Sequence, residues 1–263
     1  MKILADFHIH IYPFYSIENL FISLLKNFKR ISNLHSTPEI YAVFLAERYD
    51  CNFFNDVVLK KEKFKSDQFQ INATFNNDAI KIQYSDGNLI YLFPGRQIVT
   101  KKRLEILSLC SKSKIPDGLS ALETINSITE VSGIPVLSWA PGKWFFQRGK
   151  IVNELLNTIK PENLFIGDTS LRPTIWTKPF LMRKAENLNF KILSGSDPLP
   201  FKGEENLAGS YASFLEGDFQ KNEPNDSIKK ILLEKNLNIK HLGKRSSLNQ
   251  TLYRLYKNKK AKA

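Results

Sequence analysis

The sequence predicts an α/β fold with a parallel sheet and an inserted antiparallel region, on three observations. An apolar strand-like run, an amphipathic helix and a second strand-like run open the chain, the unit from which parallel sheets are built. The same rhythm returns after residue 103 and continues almost to the end. Between the two blocks, residues 68–93 alternate apolar and polar at period two, as a half-buried antiparallel meander does.

Lys2–Phe7 reads as a short buried strand that runs into Asp6-Phe7-His8-Ile9-His10. Ser16 then opens a helix whose apolar positions, Ile17, Leu20, Phe21, Leu24, Leu25 and Phe28, share one face. Ile40–Leu45 is the next strand and ends in Ala46-Glu47-Arg48. In the middle region Phe69, Ile71, Ala73 and Phe75 alternate, Ile80, Ile82 and Tyr84 alternate again, Asp86-Gly87 marks a hairpin, and Leu89–Phe93 follows. Leu104–Leu109 is strand-like. Ser120-Ala121-Leu122-Glu123 is a capping box before a helix with Leu122, Ile125, Ile128 and Val131 inward; Gly133 ends it before a strand at Ile134–Leu137. Ile151, Val152, Leu155 and Leu156 mark a helix, and Leu164–Ile166 a strand leading to Gly167-Asp168. Phe180, Leu181, Ala185 and Leu188 mark another helix, Phe190–Leu193 a strand leading to Gly195-Ser196-Asp197, and Ile228–Leu233 a final helix.

Composition narrows the class. With 263 residues, 42% hydrophobic and 24% charged, the chain is an ordinary globular one, not disordered or collagen-like. Cys51 and Cys110 make no disulfide framework or metal spacing. No apolar run reaches the roughly 18 residues of a membrane span, and the early Asp6 argues against a signal peptide, so a cytoplasmic protein is expected. Net charge is +12, but residues 226–263 hold eleven Lys/Arg against Asp226 and Glu234, so most of it sits there. The expected division is a body over 1–225 and a basic helical tail over 226–263. That tail is either a solvated end or an anchor for an anionic polymer, with Tyr253 and Tyr256 among Arg254, Lys257, Lys259 and Lys260 offering stacking and phosphate contacts to nucleic acid. A row of Leu248, Leu252 and Leu255 equally fits an amphipathic helix docked on the body.

The candidate chemistry lies at strand ends. On a regular strand His8 and His10 point to one face, shared with Asp6, so two imidazoles can be aimed at one metal ion. The other predicted strand ends carry Glu47-Arg48, Arg96-Gln97, Glu105, Asp168 and Asp197, and closing the sheet would bring them to one mouth. No glycine-rich phosphate loop or nucleophile elbow is present.

Taken in order, these segments resemble the PHP (polymerase and histidinol phosphatase) family of metal-dependent phosphoesterases over roughly residues 3–215. Asp6-Phe7-His8-Ile9-His10 resembles its opening His-x-His, Pro94-Gly95-Arg96-Gln97-Ile98 its Gly-x-Glu-Ile segment, and Gly195-Ser196-Asp197 its closing Gly-Ser-Asp-Ala-His. Asp117–Leu137 resembles the helix and strand before its His-Pro. Glu47-Arg48 stands where the family has Asp-His, Gln97 replaces a bridging Glu, Glu105 a His, and neither Ser138-Trp139-Ala140-Pro141 nor Pro198-Leu199 supplies the usual His.

The resemblance implies a distorted β/α barrel related to the TIM barrel, and the substitutions reduce its usual metal cluster to one divalent ion. The implied ligands are His8, His10 and Asp197, with Glu105 or Asp168 as a fourth, a set suited to zinc, manganese or iron(II). Arg48, Arg96, Arg172 and Gln97 are the expected substrate-binding residues for a small anionic substrate, and Glu47 or Asp168 the expected general base. The arginines fit equally well as structural partners of Glu47, Glu105 and Asp168. Two alternatives to a hydrolase stand beside it: a non-catalytic domain of the same fold that binds an anion or a partner, and a nucleic-acid-associated protein using its tail.

Overall fold

A computed structural model describes residues 1–35, 37–59, 64 and 66–261. It is a mixed α/β protein with two sheets and seven α-helices among the described residues. The first sheet has the order β12-β11-β1-β2-β5-β4-β3 and the second β10-β9-β8-β7-β6.

The first half follows the pattern of its sequence. β1 (Lys2–Ile9), α1 (Ile17–Leu34) and β2 (Ile40–Leu45) form the parallel unit, with β1 and β2 paired from Ile3↔Ile40 onward. The Ser16 hydroxyl caps α1 by accepting the Asn19 N–H, and Leu20, Phe21, Leu24, Leu25, Phe28 and Ile31 are its buried stripe. After α2 (Phe53–Val58), β3 (Phe69–Ala73), β4 (Ile80–Tyr84) and β5 (Leu89–Phe93) make the antiparallel meander, and β5 returns to pair in parallel with β2. Gly87, at φ 86°, takes the left-handed turn position. Phe75, expected to continue the alternation, lies beyond β3 and is fully exposed.

The second sheet opens with an antiparallel pair. β6 (Gly95–Val99) pairs with β7 (Glu105–Leu109), and β7 with β8 (Ile134–Ser138), before β9 (Phe165–Thr169) and β10 (Ile192–Gly195) continue in parallel. Its outer face is covered by α3 (Ala121–Glu130), α4 (Phe146–Thr158) and α5 (Phe180–Asn187). The capping box at Ser120 and Glu123 is formed, whereas Leu122 and Val131 face solvent and Ala121, Thr124, Ile125 and Ile128 are buried.

The two sheets share a core of Ile3, Ala5, Phe7, Phe44, Phe93, Leu107, Val136, Phe165 and Leu193. No closed hydrogen-bonded barrel forms among the described residues; the sheets meet at two seams. At one, Glu47 after β2 bridges to Arg96 of β6, with Glu47 N–H donating to Gly95 O at 3.0 Å and Gln97 N–H to Glu47 O at 2.9 Å. At the other, β10 lies against β1, and Asp197 N–H donates to His8 O at 2.9 Å.

The elements around and beyond residue 225 pack on the body. α6 (Pro224–Leu233) sends Ile228, Ile231 and Leu232 into the shared core. β12 (Lys240–Gly243) extends the first sheet through β11 (Tyr211–Glu216), and α7 (Leu248–Lys260) docks on the body. Its docking face is Thr251 and Arg254, while Leu248 and Leu252 are exposed, because the surface it meets is polar. Residues 262 and 263 of the tail lie outside the described residues. No helix among the described residues is long and apolar enough to cross a membrane.

Asp6 pins the β1–β10 seam. Its wholly buried carboxylate accepts the N–H groups of Ser196 at 2.9 Å, Gly209 at 2.9 Å and His8 at 3.1 Å, and the Ser196 hydroxyl. Replacing Asp6 with Ala strands several buried donors, each worth about 1–3 kcal/mol. The expected outcome is a loss of about 3 kcal/mol or more, read as a lower urea midpoint at unchanged slope.

Candidate metal centre

The geometry begins with an irregularity in β1. Asp6 pairs with Val43 but Ile9 with Leu45, so one extra residue is inserted between them. Alternation breaks there: Ile3, Ala5 and Phe7 face the shared core, whereas Leu4, Ile9 and Ile11 belong to the cluster under α1. The bulge therefore turns His8 and His10 away from Asp6. Asp6 does not join them, contrary to the reading of a regular strand, and its oxygens serve the seam instead. Burial pushes the Asp6 carboxyl up to about 7 against the pull of its donors.

His8 Nε2 lies 3.1 Å from His10 Nε2 and 3.1 Å from Gln97 Oε1. Asp197 Oδ1 is 3.5 Å from Nε2 of each histidine. Four donors held tetrahedrally about 2.05 Å from one cation stand roughly 3.3 Å from one another. The three distances among His8, His10 and Asp197, and that from His8 to Gln97, are close to this spacing, and the chemistry of these donors suits a single divalent ion. Among the described residues, His8, His10 and Asp197 form a group able to hold a metal, all three buried.

The protonation states agree with that use. Burial lowers the His8 pKa, favouring the neutral imidazole a metal requires. Burial opposes ionisation of Asp197, but the hydrogen bond from His10 and the Arg254 charge favour its carboxylate, which is held low, at about 2, when the imidazoles share a proton with it. Ser138 Oγ is 3.4 Å from His8 Nδ1, placed to accept an Nδ1–H and leave Nε2 free to ligate.

Asp197 owes its position to the strand end. It follows Gly195 and sits at φ 50°, a left-handed conformation uncommon outside glycine. A β-carbon on Gly195 would lie 2.4 Å from His8 Cβ and 2.6 Å from His8 N, so glycine alone lets β10 approach β1 this closely.

The remaining expected residues divide by place. Beside the cluster is a cavity of about 760 Å³, with His10, Gln97, Asp197, Glu105 and Arg48 in its wall. Glu105 begins β7 rather than ending it; because β7 runs antiparallel, it reaches the same rim. It stands outside the ligand group and pairs with Lys143 at 2.8 Å. Arg48 pairs with Asp50 at 3.5 Å and lies over the Tyr12 ring.

Glu47, Arg96, Asp168 and Arg172 do not line this cavity. Arg172 grips Asp168 through two parallel bonds of 2.8 and 2.6 Å, and Tyr211 OH adds a third at 2.8 Å. Arg96 is 3.5 Å from Glu47 and donates to Arg48 O, Cys51 O and Asn52 Oδ1. Glu47 also accepts the Phe54 N–H at 3.0 Å. These pairs tie loops to strands.

Sequence reasoning passed over Tyr12, Ser138 and Lys143 as site residues. It read Arg254 as a tail cation, although Thr251, Arg254 and Asn258 form a polar row at helical spacing. Tyr253 and Tyr256 are exposed, with Lys257 and Lys260 over their rings.

No family model matches the chain, and no curated protein matches its sequence. Among solved structures, PsfC from Pseudomonas syringae PB-5123 superposes with a TM-score of 0.58 at 12% identity, over 98% of each chain. That likeness shows a shared fold. The lesion-specific endonuclease PfuEndoQ from Pyrococcus furiosus gives a TM-score of 0.49 at 15% identity, over 91% of this chain and 58% of that one.

Two predictions follow from this geometry. Gly195→Ala forces β10 off His8; the expected cost is about 1–3 kcal/mol in denaturant unfolding, as for other overpacked sites. The second concerns Glu47, whose carboxyl burial raises to about 7 against the Phe54 N–H and Arg96. An unfolded Glu releases its proton near pH 4.5, so between there and pH 7 the folded chain binds more protons and stability falls as pH rises. Glu47→Gln should remove that component, and unfolding midpoints measured at pH 4.5 and 7.5 should lie closer together than in wild type.

Proposed function

We propose that this chain is a PHP-like metal-dependent hydrolase on a distorted β/α barrel, acting with one divalent ion on a phosphoester or another small anionic substrate. The observation that carries the reading is the convergence of His8 with His10, Asp197 and Gln97, the last three in the wall of a cavity large enough for a small substrate. The barrel reading draws support from the two seams joining the sheets, which put the ends of β1, β2 and β10 beside β6.

In this reading His8, His10 and Asp197 hold the ion, and Gln97 rather than Glu105 supplies the fourth donor. The ion, zinc, manganese or iron(II), supplies a Lewis acid that polarises an oxygen of the bound substrate. Arg48, at the rim, holds the anionic part of the substrate. Glu105, kept in place by Lys143, is the carboxylate on the wall placed to accept a proton. Glu47, Asp168, Arg96 and Arg172 support these groups from behind as ion pairs.

A second reading, a non-catalytic domain binding an anion, is favoured by the neutralisation of Glu47 and Asp168 by buried arginines. Metal titration followed by a phosphoester screen separates the two. Purified protein should bind one equivalent of zinc, manganese or iron(II), and His8→Ala/His10→Ala should bind none while keeping its helical circular dichroism. Gln97→Ala should weaken binding about tenfold or more, while Glu105→Gln leaves affinity near wild type and lowers turnover. Wild-type protein that stays metal-free in excess of all three ions overturns the hydrolase in favour of the anion-binding domain.

A further inference from the structure

The C-terminal helix α7 is tied to the Asp197 backbone through Arg254. Arg254 is 3% exposed, and all five of its N–H groups are engaged. Nε and Nη2 donate to the Glu204 carboxylate, at 3.0 Å and 2.7 Å. Nη1 donates to Ser170 Oγ at 2.9 Å and Ser246 Oγ at 3.0 Å, and Nη2 also to Asp197 O at 3.0 Å. Glu204 Oε2 in turn accepts the Leu199 N–H at 2.9 Å, and the Ser170 hydroxyl donates to Ser196 O at the strand end. Residues 196–199 are thus held from three sides by one guanidinium and its partners. Leu255 and Asn258, on the same helix, stand in the wall of the metal cavity.

We infer that Arg254 is the positioning residue of the Asp197 ligand, so that metal affinity is set from the C-terminal helix. The inference rests on the proposed metal centre and adds a residue that no part of the ligand pattern contains. Asp197 sits in a left-handed conformation between a strand and a loop, and its N–H bond to His8 fixes only one side of the peptide. Arg254 fixes the other side by taking the Asp197 carbonyl, and a rigid planar fork can serve Glu204 and that carbonyl together. A lysine at this place keeps the charge opposite Glu204 but lacks the fork that spans both.

The test uses the full chain in three variants. Arg254→Lys keeps the charge, Arg254→Gln/Glu204→Gln removes the ion pair without leaving a buried charge unpaired, and Ile128→Ala damages the core behind α3 as a control. Zinc affinity is read by chelator competition, and hydrogen exchange of the Asp197 amide is read without metal. Loss of a partner that orients a ligand costs about 10–100-fold in metal affinity. Both Arg254 variants should show that loss and faster exchange at Asp197, while Ile128→Ala binds zinc as wild type does. Wild-type zinc affinity and wild-type protection at Asp197 in both Arg254 variants would overturn the positioning role. If the wild-type chain binds none of zinc, manganese and iron(II), the metal centre itself fails, and the amide exchange alone decides: faster exchange sustains the positioning role, unchanged exchange overturns it.

Discussion

The molecule depends on a close approach that no ladder of hydrogen bonds secures. β10 lies against β1 with only glycine between the backbones, and the Asp6 carboxylate, out of contact with water, gathers donors from both sides of the gap. An acceptor with two oxygens can satisfy several N–H groups at once, which a regular strand pairing at this angle does not do. Once the gap is fixed, His8 O takes the Asp197 N–H, and the segments that carry the two histidines and Asp197, far apart in sequence, are joined directly.

Buried arginines repeat this logic around the rim. Arg96 fastens the loop after β2, Arg172 the loop after β9, and Arg254 the loop after β10. Each serves a carboxylate and at least one backbone carbonyl, so each charge is paired and each loop is held at more than one point. Pairs of this kind are costly to break and contribute little over a well-packed apolar contact. Their value here is geometric: they set loop positions beside a cluster whose donors must agree to within a few tenths of an ångström.

Much of the fold could be read from the sequence because its signals are local. The stripe of α1, the Ser120 capping box and the Asp86-Gly87 hairpin each need only neighbouring residues to be interpreted; His8 and His10 stand out by their spacing, and the family resemblance adds Asp197 to them. What stayed hidden depends on distant partners. β6 contains a buried arginine whose acceptors lie in the 47–52 segment, so Arg96-Gln97, expected at the end of a strand, lies within one instead. β12 is a four-residue edge strand defined only by β11. The bulge in β1 leaves the residue pattern unchanged while reversing which side chains share a face, so Asp6 seemed to belong with the histidines. Arg254 looked like one more cation of a basic tail because the acid that buries it, Glu204, is fifty positions away and belongs to a 3-10 turn.

The same accounting of charge bears on how many ions the site can hold. Of the acids beside the cavity, Glu105 is matched by Lys143 and Asp50 by Arg48, while Asp117 accepts the Val99 N–H. Asp197 is the carboxylate turned toward the two imidazoles. One negative charge with neutral imidazoles and an amide oxygen suits one divalent ion, leaving a net positive centre that attracts an anion. A second cation at that range would meet the first without another carboxylate to offset it, at a cost that low-dielectric surroundings enlarge. Any chemistry on an anionic substrate must then draw its remaining stabilisation from the protein. Arg48, Arg103 and Lys143 are the cations at the cavity wall, the first lying over Tyr12 and the last beside Glu105. Under the proposed hydrolase reading, charge that a multi-metal centre would spread over several ions would fall to these side chains, and the substrates it implies are anions short enough to span from His10 to them.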